Sequence, residues 1–203
     1  MGYREQLRDL IELEARPVHK IGHQPRLYAL TQQIAARFDI PHSYDDDVVF
    51  ASAYLHDLGV FVGHRPEDPD ELAAWDNVAY ACERAPRILR SVGFPEEKID
   101  HVLACIREHQ AKDDPQSLEA ALLRDADILE QLGAIGIMRT VAKVGSDTRF
   151  HTFLDARNAL AQALNELPGK LLLRAAKELS AQKIALQFAF LEKLDEEAGE
   201  YLG

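Results

Sequence analysis

Apolar residues recur at helical spacing along almost the whole chain, and this periodicity restricts the fold more than any other feature. In "YREQLRDLIELEA", Leu7, Leu10, Ile11 and Glu14 fall at the i, i+3, i+4, i+7 interval, three of them apolar. "RLYALTQQIAARF" repeats the pattern with Leu27, Leu30, Ile34 and Phe38. The spacing predicts further helices over about 46–58, 71–92, 95–109, 117–132, 134–144 and 150–166, and a long last one over about 170–198. Alternating β-branched runs are nearly absent, so the expected class is all-α, a compact multi-helix bundle with a long C-terminal helix. The punctuation agrees. "DIPHSYDDD" supplies a proline and then acidic residues, which the positive end of a helix dipole favours. In "VGFPEEK", Gly93 ends one helix, and Pro95, Glu96 and Glu97 open the next. "GHRPEDPDE" reads as a loop. No repeat or linker divides the 203 residues, so one domain over 1–203 is expected.

Composition removes several functions. A formal charge of −11 argues against a duplex nucleic-acid partner, because the phosphates would be repelled over long range. No uncharged apolar run reaches the roughly 18 residues of a membrane span. The opening "MGYREQLRDLIELEARP" has neither a signal-peptide apolar stretch nor, with Gln6, a myristoylation motif. Two cysteines, Cys82 and Cys105, are too few for a disulfide framework, so a reduced, cytoplasmic protein is expected.

One short stretch breaks the apolar pattern. "AYLHDLGVF" sets His56 and Asp57 among Ala53, Tyr54, Leu55, Leu58, Val60 and Phe61. A charge among apolar side chains costs several kcal/mol or more unless something offsets it. A divalent cation does so, since it takes imidazole nitrogen and carboxylate oxygen together. Adjacent helix residues do not face each other, but an ion over the gap between them accepts one ligand from each. Two ligands do not make a site. Upstream, "HKIGHQPRLYAL" offers His19 and His23; downstream, "LLRDADILEQLGAIG" offers Asp125 and Asp127. Helical periodicity sets Asp125 between Leu122 and Leu129 on the more apolar stripe, which favours it as the buried ligand.

An isolated His, an "HD" doublet and an Asp in an "AD-x-L" context, in that order in a helical chain, resemble the HD superfamily of metal-dependent phosphohydrolases. The likeness extends to "H-x-x-x-H-x-x-R" (His19, His23, Arg26), "LHDLG", "DADILEQLGAIGIMR" and the tail "LPGKLLLRAAKELSAQKIALQFAFLEKL". Together these look like bacterial single-domain HD hydrolases of undefined substrate. The resemblance implies a metal-binding core over about 19–132 and a C-terminal helical extension over about 134–203. It also implies His23, His56, Asp57 and Asp127 as ligands of one divalent ion, and on this point favours Asp127 over Asp125. Mixed His and carboxylate ligands suit Mn, Fe, Co, Ni or Zn, and Mg less well.

Further roles follow from the resemblance. Arg26, one turn beyond His23, would hold a phosphate oxygen. His19 and His109 would line the substrate pocket, His109 at the end of its own helix. Asp57 and Asp125 are the candidate catalytic groups, and Asp125 has a second option, orienting a His ligand through its free ring nitrogen. His64 is less promising, and His42, His101 and His151 read as surface residues. The chain departs from some nucleotidase relatives, since Val60 and Phe61 stand where those carry an acidic proton donor. The expected reaction is hydrolysis of a small phosphoester, a nucleotide or related metabolite, by a metal-activated water. A metal-containing module that binds a nucleotide without turning it over is the alternative. The long C-terminal helix leaves a third role open, as the seam of a homodimer.

Overall fold

The stretch "VVFASAYL" has no polar face, and a helix that is apolar all round must be covered on every side. The computed structural model describes residues 2–17, 20–38, 43–147, 149–199 and 201–202, and in it Val48 to Leu55 are all buried. The ten helices among the described residues are α1 (Tyr3–Glu14), α2 (His23–Ala35), α3 (Asp46–Leu55), α4 (Pro69–Ala73), α5 (Asn77–Ser91), α6 (Ile99–Arg107), α7 (Leu118–Glu130), α8 (Gly133–Val141), α9 (Phe153–Glu166) and α10 (Arg174–Ala198). No strand joins them there, so the fold is all-α with a long C-terminal helix. Helix α3 runs through the centre. Helices α1, α2, α5, α6 and α7 pack around it, and α2 lies closely along α7. Helix α10 closes over α7, α8 and α9.

The observed boundaries differ from the expected ones where a local partner overrides periodicity. The helix expected over 46–58 stops at Leu55; His56 ends it, and a 3-10 turn, Leu58–Val60, follows Asp57. The helix expected over 71–92 is two, because Asp76 accepts from the Ala79 N–H and starts α5 afresh. Pro69 falls inside the expected "GHRPEDPDE" loop, yet Asp68 caps a short helix there. A 3-10 turn at Glu96–Lys98 precedes α6, and another at Pro168–Lys170 precedes α10. Ser117 and Thr152 cap α7 and α9. Pro41 and His42, at the expected entry to α3, lie outside the described residues.

Two glycines matter to the site. Gly22 takes φ of +73°, which lets the chain turn sharply into α2 at His23. At Gly59 a side chain is excluded, since a Cβ would stand 2.3 Å from the Asn77 carbonyl oxygen. The turn after Asp57 therefore lies hard against the start of α5, and the Trp75 indole N–H donates to the Gly59 carbonyl at 2.7 Å.

Candidate metal centre

His56 is the last residue of α3's climb into the core, and its position follows from the apolar run before it. Its side chain is 1 % exposed. The ring Nδ1 stands 3.0 Å from the Ala53 carbonyl, which can only accept, so Nδ1 carries the proton and Nε2 is bare. Burial, with the neighbouring His109 and His23 rings adding to it, pushes the His56 pKa down to about 4 against the pull of Asp57. The ring is neutral at ordinary pH.

His23, fully buried at the start of α2, faces it. Their Nε2 atoms are 3.3 Å apart. On its other side, His23 Nδ1 stands 3.5 Å from Glu130 Oε2. Burial alone would raise the Glu130 pKa, but His23, Arg26 and Arg139 hold it down to about 2. Nδ1 makes no hydrogen bond among the described residues, but the negative charge of Glu130 beside it favours the His23 proton on Nδ1. Two bare imidazole nitrogens then confront each other, an arrangement that repels unless a cation lies within reach of both.

The carboxylates complete the cluster. Asp57 Oδ2 is 3.4 Å from His23 Nε2 and 3.7 Å from His56 Nε2. Asp127 Oδ1 is 3.7 Å from His23 Nε2, while the Gln131 side chain donates to its Oδ2 at 3.2 Å. The donor atoms of His23, His56 and Asp127 all lie within 4.8 Å of one another. Ligands at about 2.0–2.2 Å from one ion, at tetrahedral or octahedral angles, stand roughly 2.8–3.6 Å apart. The observed separations match that spacing or slightly exceed it. Asp57 has one more partner, the Lys20 ammonium at 2.7 Å from Oδ2. Although burial opposes it, the Lys20 ammonium above all holds the Asp57 pKa well below the usual carboxylate range.

Other candidates fall elsewhere. Asp125 is fully buried, and its two oxygens accept from the backbone N–H of Leu172, at 3.0 and 3.2 Å, and of Leu173, at 2.7 Å. Arg124 donates to it at 3.3 Å. This corrects the expectation that Asp125 moves a proton or orients a His ligand. Its carboxylate ties α7 to the start of α10, and Ala53 and Glu130 are what face the outer nitrogens of His56 and His23. Periodicity placed Asp125 inside because it does point into the core, towards backbone that no local pattern reveals.

Arg26 ion-pairs with Glu130 at 2.7 Å, so its expected phosphate contact would compete with that carboxylate. His109 is buried with its ring centroid 5.0 Å from that of His56, and its Nδ1 lies 2.6 Å from the Ile106 carbonyl. Like His56, it keeps its proton on Nδ1. His64 is held by Glu14 at 3.2 Å and Tyr80 at 3.1 Å. His101 lies beside Glu119 near the surface, and His151 is exposed. His19 lies outside the described residues.

Sequence reasoning missed Lys20 and Glu130. Glu130 was findable, because it stands three residues past Asp127 in "ADILE" and so shares its helix face. Lys20 carried no comparable signal.

Helices that bring two histidines and two aspartates from three separate segments to one point define an all-α protein with a candidate metal centre. A family model for the HD domain matches residues 21–132, more than half of the 203, and the chain belongs to that family. No curated protein matches the chain by sequence. Among solved structures, Bacillus subtilis YpgQ superposes with a TM-score of 0.70 at 20% identity, over 98% of this chain and 97% of its own. YpgQ in complex with ADP gives 0.69 at 19%, over 98% and 99%. An HD-superfamily hydrolase from Bacillus thuringiensis gives 0.64 at 21%, over 98% and 100%. At these identities the likeness is one of fold. Among the described residues no helix is long and apolar enough to cross a membrane.

Proposed function

We propose that the protein is a metal-dependent phosphohydrolase acting on a small phosphoester, a nucleotide or a related phosphorylated metabolite. His23, His56, Asp57 and Asp127 are the ligands of one divalent ion in this reading. The observation that carries it is the pair of Nε2 atoms 3.3 Å apart with carboxylate oxygens beside them. Membership of the HD family supports metal-dependent hydrolysis, and the ADP bound by the similarly folded YpgQ supports a nucleotide. A bound divalent ion would supply a water of lowered pKa and would offset charge developing on a phosphoryl group.

The chain's own residues do the rest. The Ala53 carbonyl holds the His56 ring with its Nε2 aimed inward, and the Glu130 carboxylate sits 3.5 Å behind the His23 ring, where its charge favours a proton on Nδ1. Lys20, 2.7 Å from Asp57, stands where an anionic substrate would arrive and can hold a phosphate oxygen. His109 packs edge-on against His56, ring centroids 5.0 Å apart, and in this reading stands near the substrate. Asp57, kept ionised, is the acidic group closest to the reacting position that remains once Asp125 is removed.

The test is metal content and phosphate release on the same purified samples, across a panel of nucleotides and sugar phosphates. About one equivalent of metal and release from at least one substrate is the expected outcome. Metal with saturable nucleotide binding and no phosphate release over hours would favour the non-catalytic module instead.

A further inference from the structure

A cavity of about 330 Å³ opens between α1, the start of α2 and the end of α3. Its floor is Ile11, Ala15, Gln24 and Tyr54, all buried, and its exposed lip includes Ile21 and Pro25. The one amide in that floor is Gln24. Its side chain is fully buried, and neither the amide oxygen nor the amide nitrogen has a partner among the described residues. A buried amide unbonded at both ends is costly, and folded proteins carry few of them. Gln187 shows the contrast. Equally buried, it donates to the Leu160 carbonyl and accepts from the Gly133 N–H, each at 2.8 Å.

An unbonded carboxamide offers an acceptor and a donor side by side, so its complement is a donor and an acceptor at the same spacing. The edge of a nucleobase presents such a pair, and glutamine takes the edge of adenine through two hydrogen bonds. A flat ring also suits the rest of the floor, where Ile11, Ala15 and Tyr54 offer carbon surface and no charge. The volume falls at the small end of the range for small-molecule pockets, about 300–1,000 Å³, which has room for a base or a nucleoside. None of the four metal-cluster residues lines the cavity, although Gln24 follows His23 and Tyr54 lies two residues before His56.

We propose that this cavity binds a nucleobase, free or as a nucleoside, through the Gln24 carboxamide and separately from the metal cluster. Gln24 carries the selectivity. A ring that brings a donor beside an acceptor satisfies both ends of the amide, whereas a ring without the donor leaves the Gln24 oxygen unbonded and is held less tightly. The proposal does not rest on the phosphohydrolase reading.

The test is a chemical-shift titration of the isotope-labelled full chain with 9-methyladenine and with 9-methylpurine, which keeps every ring nitrogen but lacks the amino group. Wild type should bind 9-methyladenine about tenfold more tightly, the worth of one hydrogen bond whose buried acceptor would otherwise stay unpaired. The Gln24 side-chain amide signals should be among those that move. Gln24→Met, unbranched and of similar length, should bring the two affinities together. Equal affinities in wild type overturn the proposal, as does the binding of neither ring, and as does a preference that survives in Gln24→Met. Should Gln24→Met fail to fold, the comparison of the two rings on wild type still decides the matter. Each of these results leaves metal content and phosphate release standing.

Discussion

The two ends of α3 look alike as sequence, with "YDDD" at one and "HD" at the other, yet they are built to opposite purposes. They stand about 15 Å apart along ten residues of helix. At the N-terminal end every carboxylate has its donors. Asp45 accepts from the Asp47 and Val48 N–H groups, Asp46 from Tyr28, Gln32 and Arg4, and Asp47 from Tyr3, Arg4 and Lys98. Although burial pushes it up, those partners hold the Asp47 pKa below the usual carboxylate range. At the C-terminal end the ligand atoms face one another, and the His23 and His56 Nε2 atoms stand 3.3 Å apart with carboxylate oxygens beside them. Carboxylates with full partner sets hold a fold together. Donor atoms that converge with electron pairs to spare call for a cation.

The comparison can be broken most sharply at Asp57. Replacing it with alanine should reduce metal content from about one equivalent to background. Activity should fall more than the roughly 100-fold seen at the upper end for residues that only orient ligands. Elemental analysis and phosphate release read both. Metal retained in Asp57→Ala would erase the difference between the two ends.

A pH series sharpens it next. Burial sets the folded His56 pKa near 4, below its ordinary value of about 6.5. Above pH 6.5 neither folded nor unfolded chain is protonated there, so His56 adds no pH dependence. As the pH falls from about 6.5 to about 4, the unfolded chain takes up the proton first. The chelator-treated protein should then lose stability, reaching a few kcal/mol once the pH is below 4. Urea unfolding at pH 7, 6 and 5 measures this. A His56→Asn variant should flatten the slope in that window, and an unchanged slope would show that His56 is not its source.

Glu130→Gln tests the support behind the cluster. It keeps the shape but removes the charge facing His23 Nδ1, so metal affinity should fall about 10- to 100-fold. Competition with a chromogenic chelator reports it, and an unaltered affinity would demote Glu130 to a partner of Arg26 and Arg139 alone.

The smallest effect belongs to the other end of α3. Arg4→Ala removes ion pairs at 2.7 and 2.9 Å that are partly open to solvent, and should cost about 1 kcal/mol, read by urea unfolding. Metal content should not change. A loss of metal in Arg4→Ala would mean that the two ends are coupled through α3.

How much of this was legible in the sequence depended on range. Helices showed through because burial repeats every three or four residues, and His23, His56, Asp57 and Asp127 stood out because a motif preserves their order. Capping was harder to see. Asp76 divides "ELAAWDNVAYACERAPRILRS" into two helices, although the apolar spacing runs on across it. Contacts distant in the chain left no trace. The partners of Asp125 lie 47 and 48 residues away and are backbone amides, so no side-chain pattern announces them. Lys20 meets Asp57 across 37 residues for the same reason.

The grip of α7 on the segment before α10 has an evolutionary side. Asp125 takes the N–H groups of Leu172 and Leu173, and Arg124 donates to the Lys170 carbonyl at 2.7 Å and the Ala111 carbonyl at 2.9 Å. A hold on main-chain atoms does not read side chains. Positions 170 and 172 are therefore free to drift through most of the amino-acid alphabet while the attachment survives, whereas Leu171, buried, is not. Proline is the substitution that 172 and 173 refuse, because it deletes the hydrogen on which the attachment depends. Lineages of this chain can thus rewrite the surface of the crossing without loosening it.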